Sequence, residues 1–124
     1  NIGVYSTEPN ANSLKQYLDT LPQFLDLPVN TFVLPSHKTA FTGLHVRVKE
    51  LIAHHHAHLD SLREFCAQGK TIEQCLPVLF KRKLNPHNMF FAVAEAFSHL
   101  NYLYFNDEFT RTINEHGQYI FTKK

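Results

Sequence analysis

Between Thr42 and Gln68 the apolar positions Leu44, Val48, Leu51, His55, Leu59, Leu62 and Cys66 follow one another at intervals of three or four. That spacing is one face of a long amphipathic helix, and a chain of 124 residues has room for little else around it than one core built against that face. Gly69 is expected to stop the helix. The surrounding sequence supplies the covering elements. Leu14, Tyr17, Leu18, Leu21 and Leu25 form a second helical stripe, with Asn12 or Ser13 as its cap and Pro22 bending or ending it. Thr71 and Gln74 have capping-box spacing at the start of a short helix through Phe80. Asn85-Pro86 opens another helix, whose inner stripe is read as Phe90, Val93, Ala94, Phe97, Leu100 and Tyr104, ending at Asn106-Asp107. Two β-prone runs, Phe109 to Ile113 and Gln118 to Thr122, flank Asn114-Glu115-His116-Gly117 and predict a hairpin. Near the start, Asn1 to Tyr5 suits a short strand, and Thr31 to Leu34, closed by Pro35, a short buried one. The class is therefore α+β, mainly helical. From residue 54 onward the order helix, helix, helix, hairpin is that of a winged-helix domain.

Composition excludes several function classes. Apolar residues make up 44% of the chain, enough for a packed core, and no apolar run approaches the ~18 residues of a membrane span. Cys66 and Cys75 are too few for a disulfide framework, which points to packing roles and a reducing, cytoplasmic setting. Net charge is +1, so no general polyanion affinity is expected. Six of the seven cations of the second half, Lys81, Arg82, Lys83, Arg111, Lys123 and Lys124, are the residues a nucleic-acid-binding module would use. Against that, the segment from Asn88 to Asn106 has no Arg or Lys to present to base edges.

Histidine is the unusual count, at nine. His56, His58 and Asp60 have the text of a metal motif, but helical residues two apart point away from each other and cannot share an ion. His54 and His58, four apart, face the same way and could hold one only with a third ligand from elsewhere. His55 lies on the apolar stripe and reads as a packed core residue. Glu95 and His99, also four apart, read either as a substrate-side contact or as a polar clamp on the last helix. Arg47 and Glu50 read as an ion pair on a helix face. His37 stands on a loop after a strand-like run, where functional groups collect.

Several of these segments, in order, carry a resemblance. Leu34-Pro35-Ser36-His37-Lys38, the linker through Gly43, and Arg47, Glu50, Leu51, His54 and His55 resemble the C-terminal part of metallo-β-lactamase-fold hydrolases, with their "LPGHG" loop and "R-x-x-E-L-x-x-H-H" helix. Asn10 to Leu18 is similar to the helix that precedes the loop, and Ala94 to Leu103 to the "E-x-x-x-H-L-x-x-L" helix of a winged-helix extension. The resemblance implies that residues 1–53 are the C-terminal edge of an αββα metallo-β-lactamase fold and residues 54–124 a winged-helix-like domain, the long helix spanning the boundary. It implies a parent hydrolase with one or two zinc ions that activate water against an ester, thioester, amide or phosphodiester. His37 matches the last metal ligand of that family. The other ligands have no counterpart in this chain, so the piece alone is expected to be metal-free and inactive, with no catalytic residue of its own. Ser36 and Lys38 depart from the family's glycines, and a positive φ at Lys38 would be strained. A homodimer anchored by Phe90, Phe91 and Phe97 is the further option.

Overall fold

The computed structural model describes residues 2–124. Its order is α1 (Ser13–Thr20), a 3-10 turn (Leu21–Asp26), α2 (Leu44–Phe65), α3 (Ile72–Leu79), α4 (Pro86–Phe105), β1 (Phe109–Ile113) and β2 (Tyr119–Lys123). The mainly helical class with one small antiparallel sheet is as expected. Pro22 sits where α1 gives way to the 3-10 turn, because its ring removes the N–H that the next α-helical bond needs. Neither expected cap forms at α1: the Asn12 side chain makes no cap bond, and Ser13 Oγ instead donates to the Gly3 carbonyl at 2.7 Å. At α3 the capping box is complete, with Thr71 Oγ1 accepting from the Gln74 amide and Gln74 Oε1 from the Thr71 amide. Asn85 caps α4 by accepting from the Asn88 amide at 2.8 Å.

α4 is the central element, packed against α1, α2, α3 and β1. From Ala92 to Leu103 it is largely buried, through Ala92, Ala94, Ala96, Phe97, Ser98, His99, Leu100, Asn101 and Leu103, with Ala96 to Asn101 buried without interruption. The single stripe expected there is thus only part of the interface, and Phe90, placed in it, is 60% exposed. The main core joins α4 to Leu59, Leu62 and Cys66 of α2, to Cys75, Leu76 and Leu79 of α3, and to Phe109 and Phe121 of the hairpin. Val4 and Leu14 enter the same core. Cys66 and Cys75 are free thiols, fully buried, with sulfurs 3.7 Å apart. A smaller cluster of Leu21, Leu44 and Val48 fixes the 3-10 turn to the start of α2.

Three expectations are corrected. Residues 2–5 form no strand; Val4 is pinned by its amide donating to the Ala94 carbonyl at 3.0 Å, and Asn1 lies outside the described residues. Thr31 to Leu34 is not a buried strand either: Val33 makes one antiparallel bridge to Phe41, and Phe32 and Leu34 are exposed, since no sheet among the described residues adjoins them. Gly69 does not cap α2, which ends at Phe65. A Cβ on Gly69 would lie 2.7 Å from Ile120 Cγ2, so this glycine lets the chain pass close to β2, where Lys70 bridges Phe121. The hairpin forms with the expected turn, Phe109 pairing Lys123 through Ile113 pairing Tyr119.

Candidate metal and ligand site

Helices α1, α2 and α4 and the Val33–Phe41 bridge together place several of the candidate residues around one cavity of about 940 Å³, walled by Tyr17, His37, Arg47, His54, His55 and Glu95 among others. The bridge closes a loop whose far end carries His37, exposed, and next to it Lys38 with φ of 69°. That is the left-handed region, so the loop has the shape a glycine would give it, held here against a side chain's steric cost. Gly43, also left-handed at φ 92°, ends the loop at the N-terminus of α2. The first turn of α2 then exposes Arg47, whose Nη1 stands 3.5 Å from Glu50 Oε2, the expected ion pair.

Further along α2 the histidines separate by face. His55 is buried and donates from Nδ1 to Nε2 of His99, 3.1 Å away, while His99 Nδ1 donates to the Glu95 carbonyl at 2.8 Å. The carbonyl can only accept, so it fixes the direction of the whole relay and leaves Nε2 of His55 as a lone pair. Burial, reinforced by the neighbouring imidazoles, lowers the His55 pKa to about 4; burial likewise lowers that of His99 to about 3. Both are neutral at pH 7. Glu95 and His99 do lie on one face of α4, but the bond between them runs to the Glu95 backbone; the tie between helices is His55 to His99. The Glu95 carboxyl is half-buried, and burial raises its pKa.

Two groups of three donors have their ligand atoms within 4.8 Å of one another: His54, His58 and Glu95, and His55, Glu95 and His99. Glu95, from α4, is the third partner that the sequence could not supply for His54 and His58. His56 and Asp60 belong to neither group, in keeping with their helical positions. His37 also belongs to neither among the described residues, so this chain by itself offers one donor at that loop and does not fit a zinc ion there.

The basic residues fall on separate elements. Lys81, Arg82 and Lys83 form the exposed connection between α3 and α4, and Lys123 and Lys124 end the hairpin, with Lys124 paired to Asp107. Arg111 is engaged internally: it donates to the Pro9 carbonyl and to Oδ1 of Asn101 and Asn10, and lies 4.4 Å from the ring centre of Tyr104. Asn101, fully buried, completes this knot by donating to the Pro9 and Ala11 carbonyls. Its partners Pro9, Asn10 and Ala11 lie 90 or more residues away in sequence, so no local spacing pointed to it.

Residues 59–124 match the family profile described as metallo-beta-lactamase-like, C-terminal domain, which is more than half of the chain. The chain belongs to this family. Among solved structures, a β-lactamase domain protein from Burkholderia ambifaria superposes with a TM-score of 0.96 at 36% identity, over 100% of this chain and 37% of that one. A metallo-β-lactamase family protein from Thermus thermophilus superposes at 0.81 with 27% identity, again over 100% and 37%. This metallo-β-lactamase-like C-terminal domain thus spans well under half the length of the solved relatives. No curated protein matches it. Among the described residues no helix is long and apolar enough to cross a membrane.

Proposed function

We propose that the chain is the C-terminal part of a zinc-dependent hydrolase, in which His37 is one ligand of the metal centre and the residues around it wall the substrate pocket. The observation that carries this reading is the loop itself: an imidazole beside a left-handed residue, closed by the Val33–Phe41 bridge and facing the cavity with Tyr17, Arg47 and Glu95. Residues 1–53 are read as the edge of the catalytic fold and residues 54–124 as a winged-helix-like domain, with α2 crossing between them. Exposed Val29, Phe32, Leu34 and Val46 support the first half of that division, since an apolar edge of this kind is what a larger sheet would cover. The succession of α2, α3, α4 and the hairpin supports the second. Substrates in this reading are esters, thioesters, amides or phosphodiesters, and the chain alone does not turn them over, because His37 by itself cannot hold the catalytic zinc, whose other ligands belong to the rest of the parent.

The nucleic-acid reading is weaker on this structure. A recognition helix must enter a groove, whereas the second half of α4 is the centre of the core and Arg111 is committed to Asn101 and Pro9. The test of the hydrolase reading is His37→Ala in the full-length parent. Zinc content by elemental analysis and turnover of model esters and phosphodiesters both fall in the variant; wild-type values for both contradict the assignment.

A further inference from the structure

We infer that His54, His58 and Glu95 form a binding site for a divalent cation of the zinc class, bridging α2 and α4 and distinct from the His37 position. Two donor groups share the Glu95 carboxylate, and hydrogen bonding decides between them. In the group with His55 and His99, the facing nitrogens are already bonded to each other, and the remaining nitrogen of His99 is bonded to the Glu95 carbonyl. An ion there would have to break a satisfied relay inside the core. The group with His54 and His58 is the opposite case. Nδ1 of His58 is buried and has no hydrogen-bond partner among the described residues, and the half-buried Glu95 carboxylate lies within reach of it. The His54 and His58 rings lie side by side on adjacent turns of α2, with centres 4.3 Å apart and planes tilted by 57°.

Buried polar groups ordinarily have partners, so the orphaned imidazole nitrogen of His58, beside a half-buried carboxylate, marks a place where a partner is owed. One cation satisfies all three side chains. The set of two imidazoles and one carboxylate is that of zinc sites which keep a fourth position open, and tetrahedral bonds of about 2.0–2.1 Å require the donors to close from within 4.8 Å to roughly 3.3 Å, a rotamer-scale adjustment. Imidazole donors select zinc, cobalt, nickel or copper over magnesium and calcium, which want oxygen. His54 and Glu95 also wall the cavity that His37 overlooks. The inference does not depend on His37 being a ligand.

The test is titration of chelator-treated protein with Co²⁺, read by the visible bands of tetrahedral cobalt, followed by displacement with Zn²⁺. One equivalent binds in the wild type and in His37→Ala. His58→Ala and the nearly isosteric Glu95→Gln weaken binding by more than the roughly 10–100-fold that loss of an outer-sphere partner costs. Millimolar Mg²⁺ or Ca²⁺ does not compete. Far-UV circular dichroism verifies the fold, and if His58→Ala does not fold, Glu95→Gln carries the comparison. Absence of saturable Co²⁺ binding, equal binding in wild type and Glu95→Gln, or binding lost only in His37→Ala overturns the site.

Discussion

His99 and His55 carry their own thermodynamic signature. Both are held neutral by burial, with pKa values of about 3 and about 4 in the folded chain, while the unfolded chain protonates near pH 6.5. Above pH 6.5 neither state binds these protons and stability is at its full value. Below it the unfolded state gains protons that the folded state refuses, so His99 alone costs the metal-free protein about 3 kcal/mol between pH 7 and pH 4. Urea denaturation across that range measures the slope, and His99→Gln flattens it; an unchanged slope in the variant removes the relay as its cause. Lys38 makes a second residue-scale prediction. Its left-handed backbone at φ 69° is one that glycine adopts without steric cost, so Lys38→Gly stabilises the chain by about 0.5–1 kcal/mol, read as a higher denaturation midpoint. The sequence already pointed to this position, because a lysine stood where the resembling family has glycine. The pairing of Glu95 with His54 and His58 was not legible: it joins helices whose mutual orientation no local spacing specifies.

At the scale of elements, α4 shows why some of the fold could be read from spacing and some could not. α2 has one buried face and one wet face, and its apolar stripe predicted the buried positions Leu44, Val48, His55, Leu59 and Leu62 in advance. α4 is surrounded over its later turns, and a helix segment buried all round has no single stripe to find, which is why Asn101 passed unnoticed; Phe90 precedes that stretch and lies outside the core although its spacing matches the stripe. The capping box at Thr71 is local and was legible for that reason, whereas the cap expected at Asn12 or Ser13 does not form, because Ser13 donates to the distant Gly3 carbonyl instead. The Thr31 to Leu34 run has strand composition, but a strand needs a neighbour, and Phe41 is the one bridge partner among the described residues. Asn101 is the element-scale test. Truncation in Asn101→Ala leaves the Ala11 carbonyl without its donor, the Pro9 carbonyl with Arg111 alone, and takes one acceptor from Arg111, costing about 2–4 kcal/mol by chemical denaturation. A loss below about 0.5 kcal/mol would show that water replaces these bonds freely.

For the whole molecule, the arrangement is a helical platform with one chemically dense side. The main core ties α1 through the hairpin to α4, and the cavity between α2 and the His37 loop opens beside it. Solved relatives carry this same platform on a chain of which it covers 37%. In our reading the platform holds one ligand of a metal centre in place and leaves the other ligands to the rest of the parent. Anomalous X-ray scattering at the zinc edge from crystals of the full-length parent tests that claim most directly. The account predicts an anomalous peak about 2.0–2.1 Å from an imidazole nitrogen of His37; a zinc-replete crystal whose peaks all lie away from His37 would contradict it.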